Sequence, residues 1–267
     1  MIVVKIGGAE GLDSGPLCAD VIELVNGGSR IVLVHGGSHQ TNVISERLGK
    51  PPRFVTSVSG HVSRYNDRET LEIYAMVVAG RVNKLLVERL QALGVNALGL
   101  SGPDGRLLTG RRKPALRILE KGKLKVLRDE WSGVIEQVNA SLLRQLLAQG
   151  YVPVIAPLAI SHEGEMVNVD GDRAAAAVAG ALAAEALVLL SNVPGLLKDF
   201  PREDTLIRHI PQAQLESHLS CAQGRMKRKL LGAGEALAAG AGRVIIGDGR
   251  VESPILRALA GEGTVLA

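Results

Sequence analysis

Two lysines and two glycine pairs stand out in this 267-residue chain for what they could do to an anion. Lys5-Ile6-Gly7-Gly8 and His35-Gly36-Gly37-Ser38 each close a short apolar run. Glycine has no Cβ, so its backbone N–H can approach an oxyanion closely, and a following helix N-terminus adds positive potential. One such turn is equally a plain turn; two on successive strands, one beside a lysine, point to phosphate. Neither the P-loop nor the dinucleotide fingerprint occurs, so phosphate would be held by another device. Asn168-Val169-Asp170-Gly171-Asp172 precedes an alanine-rich helical run, and alternation aims the three polar side chains to one side, although Asp170 could simply cap the helix. Gly224-Arg225-Met226-Lys227-Arg228-Lys229 opens the last long helix with four bases, which the macrodipole disfavours unless an anion sits there. Alone, that run would be a solvated face. His35 ends a strand beside Gly-Gly, where a backbone hydrogen bond is a readier role than catalysis.

The elements that must position these residues alternate strand and helix. Ile2–Ile6 and Ile31–Val34 read as continuous apolar strands, with helical spacing at Leu17, Val21, Leu24 and Val25 between them. From a cap at Asn66 or Asp67 the pattern predicts one helix to about Leu93, with Leu71, Tyr74, Val78, Val82, Leu85 and Leu86 on one stripe. Val95–Leu100, Val152–Ile155, Ala186–Leu190 and Val244–Ile246 read as strands; Asn139–Gln149, Arg173–Ala183 and Met226–Ala239 read as helices. Gly105, Gly110, Pro114 and Gly122 punctuate hairpins on the outside of the domain. Residues 202–224 read as a hairpin plus a short helix, and Gly263–Leu266 as an edge strand. The expectation is an open αβα sandwich with a mainly parallel central sheet, its ligands at the carboxyl edge. No linker divides it, so residues 1–267 form a single domain with two functional halves, about 1–170 and 171–267.

Hydrophobic residues at 46% and charged ones at 22% indicate a folded protein, and aromatics at 2% leave the core to Ala, Leu, Val and Ile. The most apolar stretch, Ala174–Leu190, is broken by Glu185 and makes a poor membrane span. Nothing at Met1–Lys5 resembles a secretory lead, and Cys18 and Cys221 are far apart without metal-like pairing. These features read as cytoplasmic, without a membrane and without a metal cluster. The net charge of +4 hides an asymmetry: residues 105–128 hold Arg106, Arg111, Arg112, Lys113, Arg117, Lys121, Lys123, Lys125 and Arg128 against Glu120 alone. Such a block is a solvated face or a dock for something acidic. It lacks an aromatic platform for bases, so an acidic protein ranks above nucleic acid.

Taken in order, Val4-Lys5-Ile6-Gly7-Gly8, His35-Gly36-Gly37, Arg64-x-x-Asp67 with Thr70-Leu71-Glu72, Asn83-Lys84, Gly99-Leu100-Ser101-Gly102-x-Asp104-Gly105, Asn168-x-Asp170-x-Asp172 and Gly224-x-Met226-x-x-Lys229 resemble the acetylglutamate kinase branch of the amino acid kinase family over nearly the whole chain. Within it, Arg64–Arg68, Gly110–Lys113 and Gly224–Lys229 are most similar to kinases of lysine biosynthesis whose aminoadipate is tethered through its amino group to a small acidic carrier protein (LysW-like). The resemblance implies ATP with Mg²⁺, ATP on the C-terminal half and amino acid on the N-terminal half. It implies Lys5 and Lys229 on the transferred phosphoryl group and Asp172 holding both. It further implies nucleotide contacts at Gly7, Gly8, Ser191, Asn192, Gly195, Gly224 and Met226, and backbone N–H groups of Gly7, Gly8, Gly36 and Gly37 around the reacting oxygens. Gly36, Gly37, Ser38, Arg64 and Asn168 would bind substrate, Arg64 by its carboxylate and Asn168 near its amide linkage. Arg111, Arg112 and Lys113 would dock the carrier. The helix Asp67–Leu93, about 40 Å long, suggests a homodimer that shares Leu71, Tyr74 and Val78 with the partner. Ser38, where the branch has a third glycine, and Gly60-His61-Val62-Ser63-Arg64, where it has Gly-Leu-Arg, argue against acetylglutamate as substrate. The alternatives are an acetylglutamate kinase of arginine biosynthesis and a silent amino-acid sensor, against which the joint retention of Lys5, Asp172 and Lys229 speaks.

Overall fold

The structure is a computed structural model that describes all residues except 9–13, 59, 61, 121 and 223. His61, Lys121 and the side chain of Arg225 thus lie outside the described residues. The chain runs β1 (Ile2–Ile6), α1 (Ser14–Asn26), β2 (Ile31–His35), α2 (Ser38–Arg47) and the hairpin β3 (Phe54–Thr56) and β4 (Val62–Arg64). A helical rod follows: α3 (Arg68–Ala75), a π-helical segment (Met76–Val82) and α4 (Asn83–Ala92). Then come β5 (Ala97–Ser101), β6 (Leu108–Arg112), β7 (Leu116–Glu120), β8 (Lys123–Leu127), β9 (Gly133–Val138), α5 (Ala140–Ala148), β10 (Val152–Ala156), β11 (Leu158–Ser161) and β12 (Met166–Asn168). The last part holds α6 (Gly171–Ala181), β13 (Ala186–Ser191), β14 (His209–Ile210), α7 (Leu215–His218), α8 (Gly224–Ala238), β15 (Val244–Asp248), α9 (Pro254–Leu259) and β16 (Thr264–Leu266).

Eight strands form the central sheet in the order β14-β16-β15-β13-β1-β2-β10-β5, parallel from β15 to β5, with β16 antiparallel to β15. Strand residues alternate between faces with period two. Val3, Val32, Val34, Ile155, Leu187, Leu189 and Ile246 pack with α5, α6 and α8; Ile2, Val4, Ile31, Leu33, Val154, Val188 and Ile245 pack with α1, α4 and α9. Both faces are covered, which is why these strands read as unbroken apolar runs. The same parity sends Lys5 to the α6/α8 side and His35 to the α4 side. A smaller sheet (β12-β11-β6-β9) and the hairpin β7-β8 carry the basic stretch, as the glycine and proline punctuation suggested. No helix among the described residues is long and apolar enough to cross a membrane.

Three expectations need correction. β14 lies outside β16 and pairs with it in parallel, so the described residues of 202–224 contain no hairpin and Gly263–Leu266 is not the edge. Asp67 caps the rod by accepting from Thr70 N–H at 2.8 Å, but the stripe does not run straight through. Leu71, Tyr74 and Val78 are buried, after which the π segment adds its extra residue and burial resumes at Asn83, Leu86 and Leu90, leaving Leu85 exposed. Third, Leu71, Tyr74 and Val78 pack against Ala156 and Leu158 of their own chain and have no surface left to share with a partner.

Candidate active site

The strand register lines the turns up along one edge. Ile6 is level with His35, Lys5 with Leu189 and Ser191 with Asp248, so the turns after β2, β1, β13 and β15 are neighbours at the carboxyl end of the sheet. The two glycine turns meet backbone to backbone. A Cβ on Gly8 would lie 2.3 Å from Gly37 N, and one on Gly36 would lie 2.6 Å from Gly8 N. Only residues without a side chain permit that approach. Ser38 Oγ donates to Gly8 O at 2.9 Å and ties the turns together. Gly36 N–H donates to Ile6 O at 2.9 Å, so it extends the sheet and is not free to cradle an oxygen.

Lys5 emerges from β1 beneath this junction, with Gly171 so close that a Cβ there would stand 3.4 Å from Lys5 Cε. Asp172, in the first turn of α6, takes Lys5 Nζ at 2.7 Å on Oδ1. Lys229, in the second turn of α8, reaches the same carboxylate at 3.0 and 3.2 Å. The meeting depends on close packing of α6 on α8: Gly180 admits Ala239, and alanines fill the contact face of α6. All three side chains are buried. Burial alone would raise the Asp172 carboxyl, but Lys5 and Lys229 together hold it well below the usual carboxylate range. Burial, followed by the charge of Lys5, pushes the Lys229 ammonium down to about 8 against the pull of Asp172. One carboxylate between two ammonium groups leaves a net positive charge out of water, an arrangement completed by an anion. Asp170 caps α6, accepting from Asp172 N–H and Arg173 N–H at 2.9 and 3.1 Å, and faces Arg228 at 3.7 Å.

Arg64 ends β4 beside the glycine turns. Its Nη2 donates to Ser38 O at 3.0 Å and Asn42 Oδ1 at 2.6 Å, and Tyr74 lies under the guanidinium at 5.9 Å. Its Nε is buried without an acceptor, which is costly unless a ligand supplies one. Asn168 closes β12 two residues before Asp170; its N–H donates to Trp131 O at 2.9 Å. His35 Nδ1 contacts Gly36 O at 2.8 Å and Nε2 contacts Asn83 Nδ2 at 3.0 Å. Burial lowers the ring to about 4, so it is neutral near pH 7.

At the other end of the row, Ser191 is buried and its Oγ accepts from Val193 N–H at 3.3 Å, whereas Asn192 is exposed. Gly195 abuts β16, where a Cβ would meet Thr264 Oγ1 at 2.5 Å. Gly224 starts α8 at φ +51°, and Met226 packs partly into the core. Arg111 and Arg112 end β6 and Lys113 follows it. Arg111 pairs with Glu136 at 2.9 Å; Arg112 stacks on Trp131 at 3.9 Å and pairs with Glu165 at 3.2 Å. Two of these three bases are thus engaged within the chain. Sequence reading overlooked the clamp Asp248–Arg250–Glu203 after β15, with Arg250 Nη2 at 2.6 Å from Asp248 and 3.1 Å from Glu203. Its only signal is Asp-Gly-Arg at a strand end. Asn83, quoted above in the pair Asn83-Lys84, was given no role.

The amino acid kinase family matches residues 1–248. The chain is 58% identical over 267 residues to the [LysW]-aminoadipate kinase of Deinococcus radiodurans, covering all of this chain and 91% of that one. It is 54% identical over 268 residues to the [LysW]-aminoadipate kinase of Thermus thermophilus, covering both chains fully. Among solved structures, smu.665 of Streptococcus mutans superposes with a TM-score of 0.79 at 26% identity, over all of this chain and 98% of the other.

Proposed function

The chain belongs to the amino acid kinase family, and we propose from that premise that it phosphorylates the side-chain carboxylate of aminoadipate carried on a LysW-like protein, with ATP as donor, in lysine biosynthesis. The observation that carries the chemistry is the buried lysine pair on Asp172 beside the two glycine turns. Phosphoryl transfer needs positioning and charge stabilisation more than covalent help. The substrate carboxylate, with a pKa of about 4, is already ionised and needs no general base. Its oxygen attacks the γ-phosphorus, the bond to the bridging oxygen breaks, and ADP leaves an acyl phosphate behind. Lys5 and Lys229 neutralise charge on the transferring group while Asp172 keeps them in place.

Arg64, through its unpartnered Nε, takes the substrate's carboxylate, and Asn168 faces the tethered amide. Residues up to about 170 form the amino-acid side; those from about 171, with Ser191–Gly195 and Gly224–Met226, form the nucleotide side. Among the described residues no cluster of three acidic or His/Cys side chains could hold a metal, and both Asp172 oxygens face lysines. Mg²⁺ would enter with the nucleotide, held mainly by its phosphates, and would neutralise charge there. The bases Lys113, Arg117, Lys123 and Arg128, which make no ion pair among the described residues, receive the acidic carrier. A homodimer uses the outer flank of the helical rod, where Met76 and Leu85 are exposed. The free thiols suit a reducing cytoplasm.

The test is a coupled ADP-release assay with carrier-linked aminoadipate, carrier-linked glutamate and free acetylglutamate. Rapid turnover of the first is expected. Preference for free acetylglutamate would replace this reading by the arginine-pathway kinase, and absence of ATP turnover with any of them by the silent sensor.

A further inference from the structure

We propose that Asn83 is a positioning residue for phosphoryl transfer, acting through His35 to set the orientation of the Gly36–Gly37 peptide. The proposal rests on the kinase reading above, and it concerns the face of the sheet opposite the lysines. By strand parity His35 points away from Lys5 and meets α4. There Asn83 Nδ2 lies 3.0 Å from His35 Nε2 and 2.9 Å from Val154 O, both contacts buried. A flipped amide would set Oδ1 against the Val154 carbonyl, so the NH₂ group belongs where it stands. Oδ1 has no partner and faces Gly99, where a Cβ would come within 2.0 Å.

The consequence is a fixed tautomer. Asn83 can only donate to Nε2, so the single proton of the neutral ring sits on Nδ1 and is given to Gly36 O at 2.8 Å. In a trans peptide the C=O and N–H point in opposite directions. Holding Gly36 O toward the ring therefore turns Gly37 N–H away from it, and Gly8 packed on the other side blocks a peptide flip. The π segment explains how a helix delivers an asparagine to this spot. An uninterrupted α-helix continuing the stripe Leu71, Tyr74, Val78 would bury positions near 82 and 85. The inserted residue moves burial to Asn83, Leu86 and Leu90. Lys5 and Lys84 are the charged groups that act on the ring, and both oppose its protonation.

The bland competitor is that Asn83 merely satisfies Val154 and packs. Nitrogen-15 spectra of the imidazoles in the intact wild-type protein need no variant and no activity. They should show His35 protonated at Nδ1 alone; a proton on Nε2 would overturn the proposal whatever the enzyme does. Asn83→Leu, which keeps the volume without the donor, should lower kcat about 10- to 100-fold, within the range for impairing one preorganised donor, with KM for ATP little changed. Asn83→Asp replaces a donor by an acceptor, so only the doubly protonated ring can still serve Gly36. Its kcat should rise as pH falls from 8 to 6, a limb absent from wild type and from Asn83→Leu. Wild-type kcat in Asn83→Leu, or equal pH-independent losses in both variants, would assign Asn83 to packing. A wild-type protein inactive on every acceptor would sink the kinase reading while leaving the tautomer result to stand by itself.

Discussion

Lys5, Asp172 and Lys229 are a carboxylate shared by two ammonium groups, and the three members differ in what each protects. Removing either lysine leaves a neutral buried pair, so Lys5→Ala and Lys229→Ala should fold with near wild-type denaturation midpoints. Each should nevertheless lose about 10²–10³-fold in kcat, the scale of one preorganised donor. Asp172→Ala instead leaves two buried ammonium groups facing one another, and should be about 3–5 kcal/mol less stable by urea unfolding. A stable Asp172→Ala protein would remove the organising role given to the carboxylate. The lowered Lys229 also sets a pH signature. Its folded value is about 8 against 10.5 in the unfolded chain, so between these the unfolded chain holds the extra proton and this group's contribution to stability rises with pH. Activity must move the other way: kcat/KM should fall above about pH 8 while thermal unfolding shows no loss assignable to Lys229. The kcat limb should lie higher, because bound phosphates favour the charged amine.

At the scale of elements, the close approach of α6 to α8 decides whether Asp172 and Lys229 touch. Gly180→Ala tests it, since two effects of opposite sign compete. Alanine in a helix interior gains about 1 kcal/mol over glycine, but its Cβ would stand 2.4 Å from that of Ala239, which is tied to backbone. Overpacking costs about 1–3 kcal/mol, so the variant should melt below wild type and lose kcat as the two helices part. A rise in melting temperature would mean that the interface yields freely. Legibility in the sequence followed the same physics. β1, β2, β10, β13 and β15 were readable because burial on both faces writes an unbroken apolar run. Asp67 and Asp170 were readable as caps by residue type. The π segment was not: one extra residue in Met76–Val82 leaves no compositional mark, so the stripe was carried onto Leu85, and Asn83 was left without a place. β14 was missed because two residues have no period. At the site, the glycine turns and their lysine were visible locally, whereas the Lys229–Asp172 contact spans 57 positions and came only from the resemblance. That Trp131 lies beneath Arg112 shows in no local pattern, so the sequence could not set this base apart from its neighbours.

On the scale of the whole molecule, the basic block sits on β6 of the small sheet and on the hairpin β7-β8, which meets the end of β3 through the bridge between Ser57 and Ile118. The structure divides the block. Arg111, Arg112 and Lys125 are held by Glu136, Glu165 and Glu120, whereas Lys113, Arg117, Lys123 and Arg128 make no ion pair among the described residues. Exposed charges steer association and are screened within about 8–10 Å at ordinary ionic strength. Rim charges act mainly on the association rate. Reversal of Lys113, Arg117 and Lys123 to glutamate should therefore cut kcat/KM for carrier-linked aminoadipate steeply at low salt. Nucleotide affinity and the slow turnover of a small acyl-aminoadipate analogue should stay as in wild type. About 0.5 M salt should reproduce the selective loss in the wild-type protein, because screening and reversal remove the same field. Arg112→Glu is the informative contrast. It breaks the stack on Trp131, whose carbonyl holds Asn168, so it should impair the small analogue as well as the carrier-linked substrate. Equal carrier kinetics in wild type and triple reversal at low salt would return these bases to a solvated face.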